Sequence, residues 1–300
     1  MNLSGVLVID KPSGPTSHDV VARVRRAIGE KRIGHTGTLD PLATGVLALV
    51  IGRATRLAQF LSSDEKEYLA TVRLGMSTPT YDAEGISADS DFRLEPEVNL
   101  GDIEAALTHL RGTYLQTPPP FSAKKVAGVR AYQHARTQQV VELTPVEVTV
   151  SALEVMSVEE GRLQLRLVCT SGFYVRTLAH ELGQRLGCGA HLGALRRTRA
   201  GDFTLGQAVS LDAVQADPGL AASRLVPSGE LLPAFPRIVL NEAGVRRVQH
   251  GNTVGPEHFG EPPGFAGFAS KFRLFDPSGA LLALADPQPG GLLHPAIVLV

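Results

Sequence analysis

The sequence has 300 residues, of which 43% are hydrophobic, and a formal net charge of −1 at pH 7. This length suggests two domains with packed cores, and the near-zero charge excludes a uniformly basic nucleic-acid-binding protein, so any RNA site must come from local clusters. The two cysteines exclude a disulfide framework and a zinc site; with no targeting signal and only a short apolar run near the start, we expect a cytoplasmic protein without a membrane partner.

The first part of the chain alternates between strand and helix patterns. Strands are predicted at 5–9, 46–51 and 68–74. A helix should begin at Ser17, a good N-cap residue, and end at Gly29, and apolar spacing indicates a further helix at 103–110. The glycine-rich segment that follows Gly29 should form a loop at the sheet.

The middle of the chain interrupts this pattern. Three prolines at 118–120 break regular structure, and a basic segment follows them to about Arg136. We therefore predict an insertion beside the sheet at about 117–142. A strand at 163–169 and a helix that ends at Gly187 come next. Because strands and helices are mixed without a regular βαβ repeat, we predict an α+β fold with a mixed, largely antiparallel sheet and flanking helices.

A shift of composition toward Pro, Ala and Ser at 217–236 marks a predicted domain boundary. We place a large domain at 1–228 and a small β-rich domain at 229–300. Strands of the small domain are predicted at 238–240, 272–275, 281–284 and 297–300. The Asp-Pro-Ser-Gly sequence at 276–279 is a strong turn signal between two of them.

The segment 34–45 is the most unusual of the chain, with three glycines and the sequence Leu-Asp-Pro around Asp40. Glycines allow close approach of the backbone to a ligand, but the Gly-Lys-Ser/Thr ending of a phosphate-binding loop is absent. Asp40 could be a catalytic carboxylate. Asp followed by Pro is also an ordinary helix start, and local sequence alone favours that interpretation. The two roles are compatible because a cap also fixes a carboxylate in place.

Three other residues are candidates for function, each with a structural alternative. His35 could bind a ligand or transfer protons, or it could be a loop histidine satisfied by backbone. Tyr68 begins an alternating strand, where packing is its default role. Arg176 lies at a predicted helix start, where a positive charge is unfavourable. An anionic partner would explain it, in either a structural or a functional ion pair.

Basic residues form three local clusters that could contact RNA. They are Arg23, Arg25, Arg26, Lys31 and Arg32; Lys124, Lys125, Arg130 and Arg136; and Arg196, Arg197 and Arg199. On charge alone, solvated faces balanced by acidic residues elsewhere are the better interpretation, since net charge says little about partners.

Four segments of the sequence resemble the motifs of one family, the TruB family of tRNA pseudouridine synthases. They are Gly-Val-Leu-Val-Ile-Asp-Lys-Pro at 5–12 with Gly14, Thr16 and Ser17; 34–45; Phe-Ser-Ala-Lys-Lys at 121–125 with Gly128, Tyr132, Ala135 and Arg136; and Ser-Gly-Phe-Tyr-Val-Arg-Thr-Leu at 171–178. The motifs occur in the family's order, although Phe121 stands where a tyrosine is frequent. The C-terminal part resembles a PUA-like RNA-binding module less sharply.

The resemblance implies an isomerase that converts uridine 55 in the T loop of tRNA to pseudouridine. The base is flipped out, its glycosidic bond is cleaved, and the uracil rotates and is rejoined through C5. The resemblance assigns the catalytic carboxylate to Asp40. The reaction needs neither a metal nor an organic cofactor.

The resemblance also implies roles for other residues. Substrate binding is implied for His35, Tyr68, Tyr174, Arg176, Leu195 and Lys11, and contact with the RNA backbone for Lys124, Lys125, Arg130 and Arg136. The large domain would be the catalytic domain, with its insertion gripping the RNA, and the small domain would be the PUA-like module. The expected partner is the T arm of tRNA, and nothing indicates an obligate protein partner.

Two other classes of function stay open. A noncatalytic RNA-binding or tRNA-folding protein would keep the basic clusters but would not need Asp40. A hydrolase of N-glycosides or sugars would use Asp40 as its nucleophile. Retaining glycosidases generally need two paired carboxylates, however, and the segment 34–45 supplies only one.

Overall fold

A large mixed sheet flanked by helices and a separate four-stranded sheet make up most of the fold. The computed structural model describes residues 3–62, 65–86, 98–122, 143–260 and 269–299, and the backbone of 125–126 and 129–130. The predicted α+β fold is confirmed. None of the helices in these ranges is long and apolar enough to cross a membrane.

The helices and strands, each numbered in chain order, have the following bounds. The α-helices are α1 (Ser17–Ile28), α2 (Ala58–Ser62), α3 (Leu100–Thr108), α4 (Val175–Arg185), α5 (Leu211–Ala216), α6 (Gly219–Ser223) and α7 (Glu242–Gln249). Single 3₁₀ turns lie at Gly52–Leu57, Ala83–Gly85, Leu205–Gln207, Ser228–Glu230, Pro256–His258 and Pro289–Gly291. The strands are β1 (Gly5–Lys11), β2 (Ile33–His35), β3 (Thr44–Ile51), β4 (Lys66–Leu74), β5 (Gly112–Gln116), β6 (Lys125–Val126), β7 (Val129–Arg130), β8 (Val146–Glu159), β9 (Arg162–Cys169), β10 (Ala190–Ala200), β11 (Phe203–Thr204), β12 (Val209–Ser210), β13 (Val226–Pro227), β14 (Arg237–Val239), β15 (Phe272–Phe275), β16 (Leu281–Gln288) and β17 (Leu292–Val298).

The large sheet has the strand order β12-β1-β3-β10-β4-β9-β8-β5, with β2, β11 and β13 paired at its side. Only the pairs β1–β12 and β3–β10 are parallel among its described ladders. The β3–β10 pair places Gly45 opposite Arg197 and Thr44 opposite Arg196. The end of the glycine-rich segment therefore lies against β10 in the middle of the sheet.

The N-cap of α1 lies one residue earlier than predicted. Thr16, not Ser17, is the N-cap, because its side chain accepts from the backbone N–H of Asp19 while the Asp19 carboxylate accepts from the N–H of Thr16. Both residue types cap helices well, so the sequence does not distinguish them. The predicted end at Gly29 is confirmed, with φ of 70°. Ser17 is thereby freed for a buried contact with the glycine-rich loop.

Two long strands were not predicted, β8 and β10. β10 contains Gly193 at a shift of register and three arginines near its end, so its apolar alternation is broken. The strand nonetheless pairs with β3 and β4 at the centre of the sheet. The site residues that β10 carries were therefore placed by resemblance alone or not placed at all.

Alternate residues of β1 face two different cores. Leu7 and Ile9 belong to the larger cluster, which also includes residues of α1, α3 and α4. Val6 and Val8 face the opposite side, in a cluster that includes Phe275 and other residues of the small sheet. The four-stranded sheet, β14-β15-β16-β17, thus packs against one face of β1 and β3 in the large sheet. The domain boundary at 228 stays a prediction.

Candidate active site

A cavity of about 470 Å³ opens beside the glycine-rich segment. Six residues that were predicted as site residues line it: His35, Asp40, Tyr68, Tyr174, Arg176 and Leu195. They come from β2, the loop before β3, β4, the start of α4 and β10. The structure brings these residues together, while their roles stay predictions.

Asp40 does not cap a helix. Its backbone carbonyl accepts from the N–H of Ala43 at 3.1 Å, which closes a turn, and the chain then enters β3 at Thr44. Pro41 therefore occupies the second position of a turn, a place that its fixed φ suits as well as the first turn of a helix. The local preference for a helix start was wrong, and the carboxylate side chain is left free to reach into the cavity.

A buried ammonium group supports the turn from behind. The Nζ of Lys11 donates to the carbonyls of Pro12, Pro41 and Ala43 at 3.0, 3.1 and 2.7 Å. Lys11 is fully buried, and burial lowers the pKa of its ammonium to about 8. It was predicted to bind substrate, but it does not line the cavity. All three of its protons are directed to backbone carbonyls, which support the loop. Its role in substrate binding stays a prediction.

A second buried cation holds the other end of the loop. The guanidinium of Arg197, from β10, donates to the carbonyls of Gly37, Thr38 and Val46 at 3.0, 3.4 and 2.7 Å. The side chain is 2% exposed, so interpreting this arginine as part of a solvated face was wrong. The hydroxyl of Ser17 adds two bonds to the backbone of Leu39. The loop is thereby tethered on both sides of Asp40.

Arg176 contacts Asp40 through two of its nitrogens, so Asp40 is the anionic partner that its position at the helix start predicted. Its Nε lies 2.8 Å from Asp40 Oδ2, and its Nη2 donates to Asp40 Oδ1 at 3.3 Å. The arginine side chain is 7% exposed and the aspartate side chain 35% exposed. A planar guanidinium can hold both carboxylate oxygens at once, which fixes the orientation of Asp40 toward the cavity.

The remaining donors of Arg176 meet oxygens from two other segments. Nη1 donates to the carbonyl of Thr80 at 3.1 Å and lies 3.5 Å from the Asp82 carboxylate, and Nη2 donates to the carbonyl of Phe121 at 3.0 Å. Arg176 is the second residue of α4, where a positive charge opposes the helix dipole. Two carboxylates and two carbonyls offset that cost, which explains the otherwise awkward position.

Opposing influences set the charge state of Asp40. Burial raises the pKa of its carboxyl above the usual range, and the neighbouring Asp82 carboxylate adds to the rise. The Arg176 guanidinium and, more weakly, the Lys11 ammonium act in the opposite direction. Asp40 is the only carboxylate among the described residues that line the cavity, beside the cations Lys66, Arg176 and Arg197. More positive than negative side chains thus line the cavity, a balance that favours an anionic ligand.

Aromatic and aliphatic side chains form the walls. Tyr68 on β4 and Leu195 on β10 are each 8% exposed, and burial raises the pKa of the Tyr68 hydroxyl. Tyr174 stands just before α4, where the buried side chain of Gln116 holds its backbone N–H and C=O at 2.8 and 3.1 Å. The flat rings of the two tyrosines suit a planar base.

His35 lies at the cavity with an edge-to-face contact to His18, their ring centres 5.5 Å apart. Burial, with smaller effects of His18 and Arg197, lowers the pKa of the His35 ring. Its Nδ1 is buried and makes no hydrogen bond to any described residue. The alternative of a loop histidine satisfied by backbone is therefore not met at this nitrogen.

Three residues of the site were not predicted. Lys66 lies two residues before Tyr68 on β4, so the alternation of the strand places it on the same side and could have revealed it. Arg197 belongs to the unpredicted strand β10. Asp82 lies in a turn after β4, and nothing in the local sequence connects it with Arg176. Folding alone brings that pair together.

The four basic residues predicted to contact the RNA backbone belong to the segment 117–142. Lys124 and Arg136 lie outside the described residues. Lys125 and Arg130 are paired in the register of the β6–β7 hairpin, of which only the backbone is described. That hairpin pairs with no strand of the large sheet among the described ladders.

The arrangement limits the chemistry that the site can perform. A retaining glycosidase needs a second carboxylate in its cavity. Asp82 lies near Asp40, but it is 2% exposed and does not line the cavity. In the part of the chain that is described, no three His, Cys, Asp or Glu side chains form a metal-binding group. The expectation of a cofactor-free reaction stays a prediction.

Comparison with known proteins identifies relatives over almost the whole chain. Residues 25–175 match the family profile described as "TruB family pseudouridylate synthase (N terminal domain)", and residues 176–227 match "tRNA pseudouridylate synthase B C-terminal domain". A protein of Solibacter usitatus named tRNA pseudouridine synthase B is 44% identical over 303 aligned residues, covering 99% of this chain and 100% of the relative. A protein of the same name from Thermobifida fusca is 44% identical and covers 95% of each chain.

A solved structure shares the fold. The chain in the "Crystal Structure of a Cbf5-Nop10-Gar1 Complex" superposes with a TM-score of 0.72 at 24% identity, covering 99% of this chain and 85% of that one.

Proposed function

This chain belongs to the TruB family of pseudouridylate synthases, which are isomerases, and we propose on that basis that it converts uridine 55 in the T loop of tRNA to pseudouridine. The relatives named tRNA pseudouridine synthase B support tRNA as the substrate. The enzyme would act on tRNA in the cytoplasm and read the T arm mainly by shape and backbone.

One observation carries the proposal. Asp40 presents its carboxylate at a cavity, held by Arg176, in a loop whose backbone is tethered by two buried cations. Isomerisation requires a carboxylate at C1′ of the ribose, which attacks that carbon or assists departure of the base. The N1–C1′ bond breaks, a C5–C1′ bond forms, and the proton that C5 loses is balanced by one that N1 gains. No redox change takes place.

The tethers of the loop matter because the rate of the reaction depends on the position of the Asp40 carboxylate. A reacting group held within a few tenths of an ångström of its working position needs little reorganisation. The Arg176 guanidinium opposes the rise that burial gives to the pKa of Asp40, since a nearby guanidinium stabilises the charged form. Asp40 is thus the residue that we expect to react.

The cavity walls would receive the flipped uracil. A uridine inside a folded loop must leave the stack before a side chain reaches its C1′. Tyr68 would stack on the base, an interaction worth about 1–3 kcal/mol, and Tyr174 and Leu195 would enclose it. His35 at the cavity rim would fill the space that the base leaves.

Contacts farther from the cavity would hold the tRNA. We assign contact with the RNA backbone to the insertion at about 117–142. The residues that would make it are Lys124, Lys125, Arg130 and Arg136. The small sheet from Arg237 onward would be the PUA-like module of a domain at 229–300. Phosphate contacts of this kind make affinity fall as salt rises.

The substrate and its position can be tested together. An unmodified tRNA transcript and a copy with cytidine at position 55 are incubated with the protein, and pseudouridine is mapped at nucleotide resolution. We expect one pseudouridine, at position 55, and none in the cytidine copy. Modification at another uridine would contradict the assigned position, and release of free uracil would favour the hydrolase instead.

A further inference from the structure

Tyr81 has a strained backbone next to the catalytic network. Its φ is 65°, a left-handed conformation that is unusual for a bulky aromatic residue. Among the described non-glycine residues, only Glu160 and Leu232 share a positive φ. Such conformations persist where the surroundings hold them, and they concentrate at functional sites. Tyr81 lies between Thr80 and Asp82, the two residues that contact Nη1 of Arg176.

Hydrogen bonds within the turn fix its own shape. Asp82 Oδ1 accepts from the Thr80 hydroxyl at 2.5 Å and from the N–H of Glu84 at 3.1 Å. The Thr78 hydroxyl donates to the carbonyl of Asp82 at 2.7 Å. These bonds leave Asp82 Oδ2 for Arg176. They do not attach the turn to α4, the helix that carries the arginine.

A ring stack makes that attachment. The rings of Tyr81 and His180 are parallel within 7°, and their centres are 3.8 Å apart. His180 lies four residues after Arg176 on α4, so the two side chains share one side of the helix, one turn apart. The carbonyl of Tyr81 also accepts from the N–H of Leu192 at 2.9 Å, which ties the turn to β10. The helix α4 therefore contacts the turn through two residues one turn apart, Arg176 and His180.

We propose that Tyr81 and His180 are positioning residues for Arg176. Their stack holds Thr80 and Asp82 at the distance that keeps the guanidinium directed at Asp40. Neither Tyr81 nor His180 lines the cavity, so neither is placed to touch the uracil. This inference rests on the proposed role of Asp40 and Arg176.

Stacking, not charge, is the property that His180 supplies. Burial lowers the pKa of its ring, which favours the neutral form. Its Nδ1 is buried without a hydrogen-bond partner among the described residues, and its Nε2 lies 2.9 Å from Nε2 of Gln184. A phenylalanine at 180 should therefore replace it, because the flat ring is kept.

The test separates the stack from the backbone strain. Tyr81→Gly removes the ring but suits the positive φ, so the protein should fold while kcat falls by between about tenfold and a hundredfold, with KM little changed. His180→Ala should lower kcat to a similar extent. Tyr81→Phe and His180→Phe should restore most of the activity. Glu160→Gly makes the same kind of backbone change in the β8–β9 connection and should leave kcat and KM unaltered.

The double variant Tyr81→Gly with His180→Ala adds a second criterion. If the two rings act as one unit, the double variant loses no more kcat than either single variant. Additive losses, a loss confined to KM, or wild-type kcat in His180→Ala would overturn the inference. An inactive Asp40→Asn beside fully active ring variants would refute only this inference. An active Asp40→Asn would refute the proposed function itself.

Discussion

At the scale of single residues, Arg176 joins parts of the chain that are distant in sequence. Its guanidinium contacts Asp40 in the loop before β3, Asp82 in the turn after β4, and Phe121 at the start of the insertion. The side chain is almost fully buried, so these charges interact with little screening by water. The orientation of Asp40 thus depends on geometry that only a forked cation can satisfy.

Replacing that cation by a point charge gives the first prediction. Arg176→Lys keeps a positive charge but cannot hold two carboxylate oxygens and two carbonyls at once. We expect kcat to fall by about 10²-fold, the order seen when one preorganised donor is lost, while tRNA affinity changes little. Single-turnover kinetics and an equilibrium binding assay measure the two quantities. Equal loss of rate and affinity would contradict a role of the Arg176–Asp40 pair in the chemical step.

The second prediction concerns the acid limb of the pH–rate profile. Burial raises the pKa of Asp40, and the Asp82 carboxylate raises it further. If ionised Asp40 is the reactive form, activity falls as pH drops through this raised pKa. Asp82→Asn removes a negative neighbour, so the acid limb should move to lower pH, although the plateau rate also falls because Arg176 loses a partner.

An exposed carboxylate provides the control for that shift. Asp102→Asn, on α3 and outside the cavity, makes the same chemical change and should leave the acid limb in place. If the acid limb of Asp82→Asn does not move, or moves to higher pH, another group controls the pH–rate profile.

At the scale of elements, the loop between β2 and β3 is held through its backbone. Lys11 reaches it from β1, Arg197 from β10 and Ser17 from α1. Gly45, the second residue of β3, has φ of 99°, and a Cβ there would stand 2.2 Å from the carbonyl oxygen of Arg197. Only glycine permits this approach of β3 to β10.

The third prediction uses that approach. Gly45→Ala should lower the free energy of unfolding by about 1 kcal/mol for the positive φ and by a further ~1–3 kcal/mol for the clash. It should also displace Asp40 and lower kcat. Gly29→Ala is the matched control, since Gly29 has φ of 70° but open space around a Cβ. Equal losses of stability in the two variants, with normal kcat, would contradict a role for the close approach.

Much of this element-level arrangement could be predicted from the sequence. The apolar runs and the alternation identify β1, β3, β4 and β9 closely, and Gly29 ends α1 as expected. The strand β10 was not predicted because Gly193 and its arginines break the alternation. The partnership of Asp82 with Arg176 escaped for a different reason: it is a long-range contact, and residue patterns report only local periodicity.

At the scale of the whole molecule, the small sheet is part of the core. Val6, Val8, Val46 and Val50 are fully buried in a cluster that includes Phe275 of β15. Arg53 also donates to the carbonyl of Leu299 at 3.1 Å. The C-terminal segment therefore covers the face of β1 and β3 that points away from the larger core.

The fourth prediction follows from that cover. A chain that ends at residue 228 would expose the four valines, at a cost on the order of 5–10 kcal/mol, which rivals the stability of a typical domain. We expect the shortened protein to aggregate or to lose its cooperative thermal transition by circular dichroism. A sharp transition at the wild-type Tm, with normal tRNA affinity, would contradict this reading of the shared core.

The central claim is that Asp40 carries out the isomerisation of a tRNA uridine. Its most direct test is pseudouridine mapping on tRNA treated with wild-type protein or with Asp40→Asn, beside a binding assay on the same tRNA. Asparagine keeps the size of the side chain but cannot act as the anionic nucleophile. We expect one pseudouridine with the wild type, none above background with Asp40→Asn, and similar tRNA affinity for both. Pseudouridine formation by Asp40→Asn at a rate near that of the wild type would contradict the account.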